Sequence, residues 1–410
     1  EAIGSLAGTS GGTINLLGER VALLESASVD VSGYSGGGEV LIGGNYLGQG
    51  PEPNASATVL APGSKVKADA LFSGDGGRVI VWSDEYTGFY GDITALGSST
   101  GNGGFVETSS KDNLQAFGSV SAVGGLGRGQ WLLDPRNVQI AAAEANGGFA
   151  GGDPDIFTPT GDDATVAVAD INTSLSAGTD VTIQTNDGGG GQAGNITFNA
   201  GSNIVNNNGD ATLTFIAAGD FDNNGATISA TGTGKLNVVI GAEGAVIVKG
   251  VITTQGGNVT IAGANTDGSA LATNAGSVDI DSNIITTGRA GVAGGNILIN
   301  TDGTVSIDAD LTTSGGAAAT TGLNAGSISI TTTGNNDHIT IGAAADLTAV
   351  GSSGNGASNA GGTGGAVTLN TASGAGTANI VLTDTQIDTS GGLKADDNAP
   401  AAGGNITLSD

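Results

Sequence analysis

Gly74-Asp75-Gly76-Gly77-Arg78-Val79-Ile80-Val81-Trp82-Ser83-Asp84, Phe89-Tyr90-Gly91-Asp92-Ile93 and Gly101-Asn102-Gly103-Gly104-Phe105-Val106-Glu107-Thr108-Ser109 decide the fold. These are three short apolar runs, each bounded by Gly, Asn, Asp or Ser. Such runs with such breaks read as brief strands and tight turns. No apolar stripe at helical spacing appears between Arg78 and Asp112, so no helix is expected there.

The unit of a glycine followed by a short strand recurs to the end of the chain. Its clearest copies begin at Gly194, Gly257, Gly276, Gly295, Gly326, Gly365 and Gly404, as in Gly276-Ser277-Val278-Asp279-Ile280. The leading glycines are spaced 63, 19, 19, 31, 39 and 39 residues apart. A coil of 19–20 residues, counted once, twice or three times, accounts for 19, 39 and 63, and the 31 implies a shortened or bulged coil. Strand alternation puts Ile280, Ile299 and Ile330 inward and Asp279, Leu298 and Ser329 outward. One coil cannot bury its inward face, whereas stacked coils can. The expected fold is therefore an all-β parallel β-helix. About 20 coils at roughly 4.8 Å per rung would make an elongated rod on the order of 100 Å.

Composition agrees with a repeat. The 410 residues include 77 Gly, 7 Pro, no Cys and no Met, too long a chain for one compact core. The apolar fraction of 38% lies in short β-branched runs, which argues against disorder. Net charge is -28, which makes nucleic acid and anionic membranes poor partners. Seven of the 11 basic residues precede Asn137. No apolar run reaches the roughly 20 residues of a membrane span, so no membrane insertion is expected. The chain opens on Glu1, which reads as a processed or excised piece.

Three regions are expected: β-helix with aromatic blocks over 1–140, a loop or linker excursion over 141–170, and Gly/Asp/Thr-rich coils over 171–410. Gln49 to Ala57, with two prolines, reads as a smaller excursion. Asp170 to Ala177 is the one expected helical turn, with Asp170 as cap and Gly178 as stop.

Five ordered blocks carry a family resemblance. They are Gly38-Glu39-Val40-Leu41-Ile42-Gly43-Gly44, Gly77 to Asp84, Phe89-Tyr90-Gly91, Gly101 to Ser109, and Trp131-Leu132-Leu133-Asp134-Pro135. Over roughly residues 36 to 200 the chain resembles the large exoproteins of bacterial two-partner secretion, of the filamentous-haemagglutinin and high-molecular-weight-adhesin type. The resemblance implies a secreted right-handed parallel β-helix at the bacterial cell surface. It also implies export through a dedicated outer-membrane transporter, and adhesion to a host-cell, surface or matrix receptor.

Candidate chemistry is sparse. Gly124 to Gly129 leads into the strand-like Trp131-Leu132-Leu133 rather than a helix start, so a phosphate loop fails on mechanism. His338 is the sole histidine and reads as an exposed residue beside a turn; with no Cys, zinc, haem and Cys–His catalysis lack ligands. The acid pairs Asp153/Asp155, Asp162/Asp163, Asp279/Asp281, Asp308/Asp310 and Asp396/Asp397 read as solvated turns. Calcium is the one cofactor their oxygens would suit, and paired acids could serve glycoside cleavage. The early aromatics, among them Tyr46, Trp82, Phe105 and Trp131, read as core or corner packing, with a carbohydrate-stacking patch as the other reading. Asn54, Asn172, Asn195, Asn258 and Asn405 occupy glycosylation sequons, and the resembled adhesins carry sugars at such sites. The expected function is a non-enzymatic adhesive or structural stalk. The alternatives are a subunit of a self-assembling extracellular filament, associating end to end, and a polysaccharide-acting β-helix enzyme.

Overall fold

A computed structural model describes residues 1–143, 147–149, 157–159, 163–186, 192–264, 270–272, 276–356, 359–371, 377–394 and 399–409. The chain divides into two compact units, Glu1–Ser202 with Asn208–Thr214, and Asn203–Asn207 with Phe215–Asp410. Both are parallel β-helix. A regular coil contributes one strand to each of three sheets, and its strands pair with their counterparts in neighbouring coils.

Gly77 to Gly104 make up one coil of the first unit. Arg78–Val81 lies in the first sheet, Tyr86–Phe89 in the second and Asp92–Thr94 in the third. Phe105–Thr108 then returns to the first sheet with Phe105 in register on Arg78, 27 residues later. Alternation sets the core: Val40, Val79, Val106, Trp131 and Val181 form one inward row and are fully buried. Each such valine stabilises by roughly 1.5–3 kcal/mol relative to exposure. Trp131 fits inside because its Nε1 donates to Thr108 Oγ1 at 2.9 Å. Phe89 meets its ring edge-on at 6.2 Å.

The glycine before each first-sheet strand has a steric cause. A Cβ on Gly77 would overlap the carbonyl oxygen of Gly38, and one on Gly104 that of Gly77. The corners of successive coils touch through bare backbone, and only glycine leaves room.

The second sheet of this unit is not in chain order. Ala164–Ala167 lies between Asn113–Ala116 and Val138–Ala141, and Ile196–Phe198 follows Val138–Ala141. The chain therefore moves one rung ahead at Val138 and returns to fill the vacated rung. Of the 141–170 excursion, the described part holds the antiparallel pair Gly147–Phe149 and Phe157–Pro159, then that returning strand, then a helix.

The helix is Val168–Ala177, ten residues rather than one turn. Asp170 sits inside its first turn and is not the cap; Ala167 holds that position without a side-chain hydrogen bond. Gly178 ends the helix as expected, left-handed at φ 96° with its N–H on Leu175 and Ser174 carbonyls. Val168, Ile171 and Leu175 face the core. Ser174 Oγ donates to Val120 O at 2.8 Å, and Ala122 N donates to Thr179 Oγ1 at 3.0 Å. The helix thus covers the edge of the third sheet at Ser119–Ser121.

In the second unit the alternation is as expected: Ile280, Ile299 and Ile330 are fully buried, while Asp279 and Ser329 are half-buried and Leu298 is exposed. The expected coil length is corrected. Val259 pairs with Ile297 in the first sheet, 38 residues on, and Val278 between them belongs to the second sheet, paired with Val246 and Val305. The 19-residue spacing is half a coil, because the glycine-led motif opens strands of two different sheets. The 31-residue interval is a full coil in register, Ile297 on Ile328, and 39 is one coil, Ile328 on Val367.

Coils of 31 and 38 residues stack because their loops are pinched off. Thr313 Oγ1 donates to Gly326 O at 2.7 Å while Gly326 N donates to Thr313 O at 2.7 Å. Thr286 and Gly295 form the same reciprocal clamp. The clamp closes the corner before the next strand, so loop length beyond it costs little. Thr313 is fully buried. Thr313→Val is expected to leave the Gly326 carbonyl short of a donor and lower stability by about 1–3 kcal/mol. Hydrogen-exchange mass spectrometry should localise the loss to residues 311–328. Unchanged protection there would refute the clamp.

Candidate functional site

The outer face of the first sheet in the first unit carries two rows. The row nearest the glycine corner is Thr13, Glu39, Arg78, Phe105, Gln130 and Asp180. Beside it the stacked glycines form the floor of an open groove of roughly 930 Å³. Its polar wall is pre-ordered. Arg78 Nη1 meets Glu39 Oε1 at 2.8 Å, Arg128 Nε meets Asp180 Oδ1 at 2.8 Å, and Gln130 Nε2 donates to Thr182 Oγ1 at 2.9 Å. These ion pairs are exposed and contribute little to stability, so their effect is mainly on the shape and charge of the wall.

The second outward row is Asn15, Leu41, Ile80, Glu107, Leu132 and Thr182. Leu41, Ile80 and Leu132 point away from the coil interior and yet are almost fully buried. The small excursion expected at Gln49–Ala57 begins earlier and lies over Trp82, which clusters with Leu41 and Ile80. Ala55 N donates to Gly43 O at 2.6 Å, which closes the segment into a loop with a narrow neck. Within it Tyr46–Gly48 makes a single 3₁₀ turn, with Leu47 at φ 53°. Gly48 lies against the Trp82 indole, where a Cβ would clash with the ring. Asn54 Nδ2 donates to Gly48 O and Asp84 Oδ1, both at 3.0 Å. The Tyr46 ring packs edge-on against Phe105 at 5.8 Å, with the Arg78 guanidinium 5.5 Å from its centroid.

Glu107 lies beneath this loop, with no solvent exposure. The Leu47 amide donates to its two oxygens at 3.2 and 3.3 Å. Burial pushes the carboxyl up to about 8; the Leu47 amide opposes this, and Asp134 adds to it. Burial, then the charge of Glu107, also raises the Tyr46 phenol above its usual range. Glu107 was not among the expected site residues. Its signal is legible once the glycine-led strands are aligned, because it is the one charge in the column Leu41, Ile80, Glu107, Leu132.

Of the acid pairs, the structure joins Asp279 and Asp281 to Asp308, their carboxylate oxygens within 4.8 Å of one another. Asp310 turns elsewhere and accepts from Asp346 N at 3.0 Å. The cluster could offer oxygen ligands to a hard cation such as calcium. Nearby Lys249 is held by Asp222 at 2.6 Å, which raises its pKa. Asp153/Asp155, Asp396/Asp397 and Asp162 lie outside the described residues. His338 is half-buried rather than exposed, its Nδ1 accepting from Asn379 N at 3.0 Å. Among the sequons, Asn54 uses its amide within the loop, Asn172 lies on the helix, Asn195 is half-buried, and Asn258 and Asn405 are exposed. Trp82 and Trp131 are packed, as expected for core or corner residues, whereas Tyr46 is exposed.

No protein-family model matches the chain. No curated protein matches it either.

Desolvation, then Asp281 and Asp308, raises the pKa of Asp279, so its charge is penalised in the folded state. The penalty is fully present above that raised pKa and disappears as pH falls through the carboxylate range. Asp279→Asn is therefore expected to raise the melting temperature at pH 7 in chelator, with the gain vanishing in acid. A fall in melting temperature at pH 7 would refute the repulsion.

Proposed function

We propose that this chain is an adhesive or structural stalk of a secreted bacterial surface protein of the two-partner secretion class. The observation that carries the reading is the outer face of the first sheet in the first unit. There, coil stacking lines up a groove, two ion pairs and the Phe105 and Tyr46 rings on a rigid backbone ladder. Such a face offers a receptor a long, pre-ordered contact surface, and an extended polysaccharide or matrix chain would lie along it. Aromatic rings beside planar polar groups suit the stacking and hydrogen bonding of sugars.

A further observation supports the class. Four of the five blocks that carry the resemblance form the first-sheet strands Glu39–Ile42, Arg78–Val81, Phe105–Thr108 and Gln130–Leu133. Among the described residues no helix is long and apolar enough to cross a membrane. Export through an outer-membrane transporter and a surface location belong to the same proposal, as does the absence of enzymatic turnover.

Beads coated with the purified chain should attach to epithelial cells or matrix well above beads coated with an unrelated protein. Phe105→Ala combined with Gln130→Ala should reduce attachment about tenfold without altering the circular dichroism. Attachment equal to the control would leave only the structural role. Release of reducing sugar ends from a polysaccharide panel would replace the proposal with an enzyme.

A further inference from the structure

The loop between Gly43 and Ala55 has the construction of a hinged cover. Its neck is fixed to the coil, since Gly43 N donates to Leu16 O at 2.9 Å and Ala55 N to Gly43 O at 2.6 Å. Its body rests on the coil through Tyr46 on Phe105, Gly48 on Trp82 and the Asn54–Asp84 hydrogen bond, and one further contact is unusual. The strained Leu47 amide, at φ 53°, has a buried carboxyl as its partner, in a row where the neighbouring coils carry Ile80 and Leu132. An apolar side chain would fill that row without any dependence on protons.

We propose that the loop is a proton-controlled latch: it stays shut over the first sheet while Glu107 is neutral and is released as Glu107 ionises. Ionised and shut, Glu107 would be a buried charge with the Leu47 amide and the Ser109 side chain as its donors, too few to offset its desolvation. Ionised and open, it is hydrated. Opening also relieves Leu47 of its left-handed conformation and uncovers Leu41, Ile80 and Trp82.

The surrounding charges do not override this. From the preceding coil comes Arg78, whose guanidinium is already paired with Glu39 and lies over Tyr46. From the following coil comes Asp134, whose charge opposes ionisation, and Ser109, just past the end of the Phe105–Thr108 strand, hydrogen-bonds the carboxyl. On the loop, Tyr46 is a neutral phenol in this range, while Glu52 holds Asn45 and Asp84 holds Asn54.

Arg78 and Phe105 belong to the groove as well as to the latch contacts, because Tyr46 packs on both. Release therefore frees one wall of the groove. Its meaning as regulation of attachment rests on the adhesive reading of that face. The latch itself does not.

The test is hydrogen exchange of the Leu47 amide in the unliganded chain, corrected for intrinsic exchange. The closed form retains a proton that the open form loses between the ordinary glutamate range and about 8. Protection at Leu47 should then fall about tenfold per pH unit from about pH 5 to 8 and level off above that. Glu107→Gln should give a flat profile. If that variant does not fold, Glu107→Leu should, given its apolar row, with the same flat profile. Tyr46→Ala should lower protection by a constant factor at every pH while keeping the slope. A flat profile in the unmodified chain, or an equal slope in the Glu107 variants, overturns the latch. Bead attachment compared at about pH 6 and 8.5 reads the link to adhesion separately. A pH-dependent Leu47 amide with pH-independent attachment upholds the latch and removes only its regulatory meaning.

Discussion

The backbone ladder between successive coils is the constraint from which the rest of this structure follows. Each strand must lie one rung from its counterparts, whatever the chain does between rungs. That demand places glycine at corners such as Gly77 and Gly104, where carbonyl oxygens of the previous coil leave no space for a side chain. It also demands a means of absorbing loops of unequal length. The Thr286–Gly295 and Thr313–Gly326 clamps supply it for their two loops, by tying each at the base with two short hydrogen bonds. Stability is then a sum over neighbouring coils rather than a property of one core.

The same ladder makes function a matter of rows. A side chain on one coil stands in register with side chains above and below, so a feature repeated in sequence becomes a stripe in space. The stripe from Glu39 to Asp180 is polar and borders the groove. The stripe from Leu41 to Leu132 is largely apolar, and an apolar outward stripe needs a cover, which the loop ending at Ala55 provides around Leu41, Ile80 and Trp82. Glu107 breaks that stripe with a carboxyl, and its environment then decides its protonation: the Leu47 amide and the Ser109 side chain do not match the hydration it has lost. The adhesive and regulatory readings both grow from these two adjacent rows.

The helix Val168–Ala177 and the returning strand Ala164–Ala167 show how far the ladder tolerates irregularity. The chain can move a rung ahead and come back provided every rung is finally filled, as the pairing of Gln139 and Gln115 with Thr165 shows. The helix takes a position where a further strand would go and answers the exposed edge with the Ser174 hydroxyl and Leu175 packing.

The sequence by itself determined the class of fold and the direction of the side chains. Alternation in Val278-Asp279-Ile280 reports burial because successive strand residues face opposite ways, and glycine at the corners reports close backbone approach. It also marked Gln49–Ala57 as an excursion and Gly178 as a helix stop. Coil length needed the tertiary structure, since identical glycine-led motifs open strands of two different sheets and spacing cannot tell a half coil from a whole one. So did the meeting of Asp308 with Asp279 and Asp281, which depends on which coils are neighbours. Glu107 is the clearest case. Its column in the repeat could be read in the sequence, but its burial depends on a loop some 60 residues earlier folding back over it. Pairing between coils brings such distant residues together, and local sequence does not encode that register.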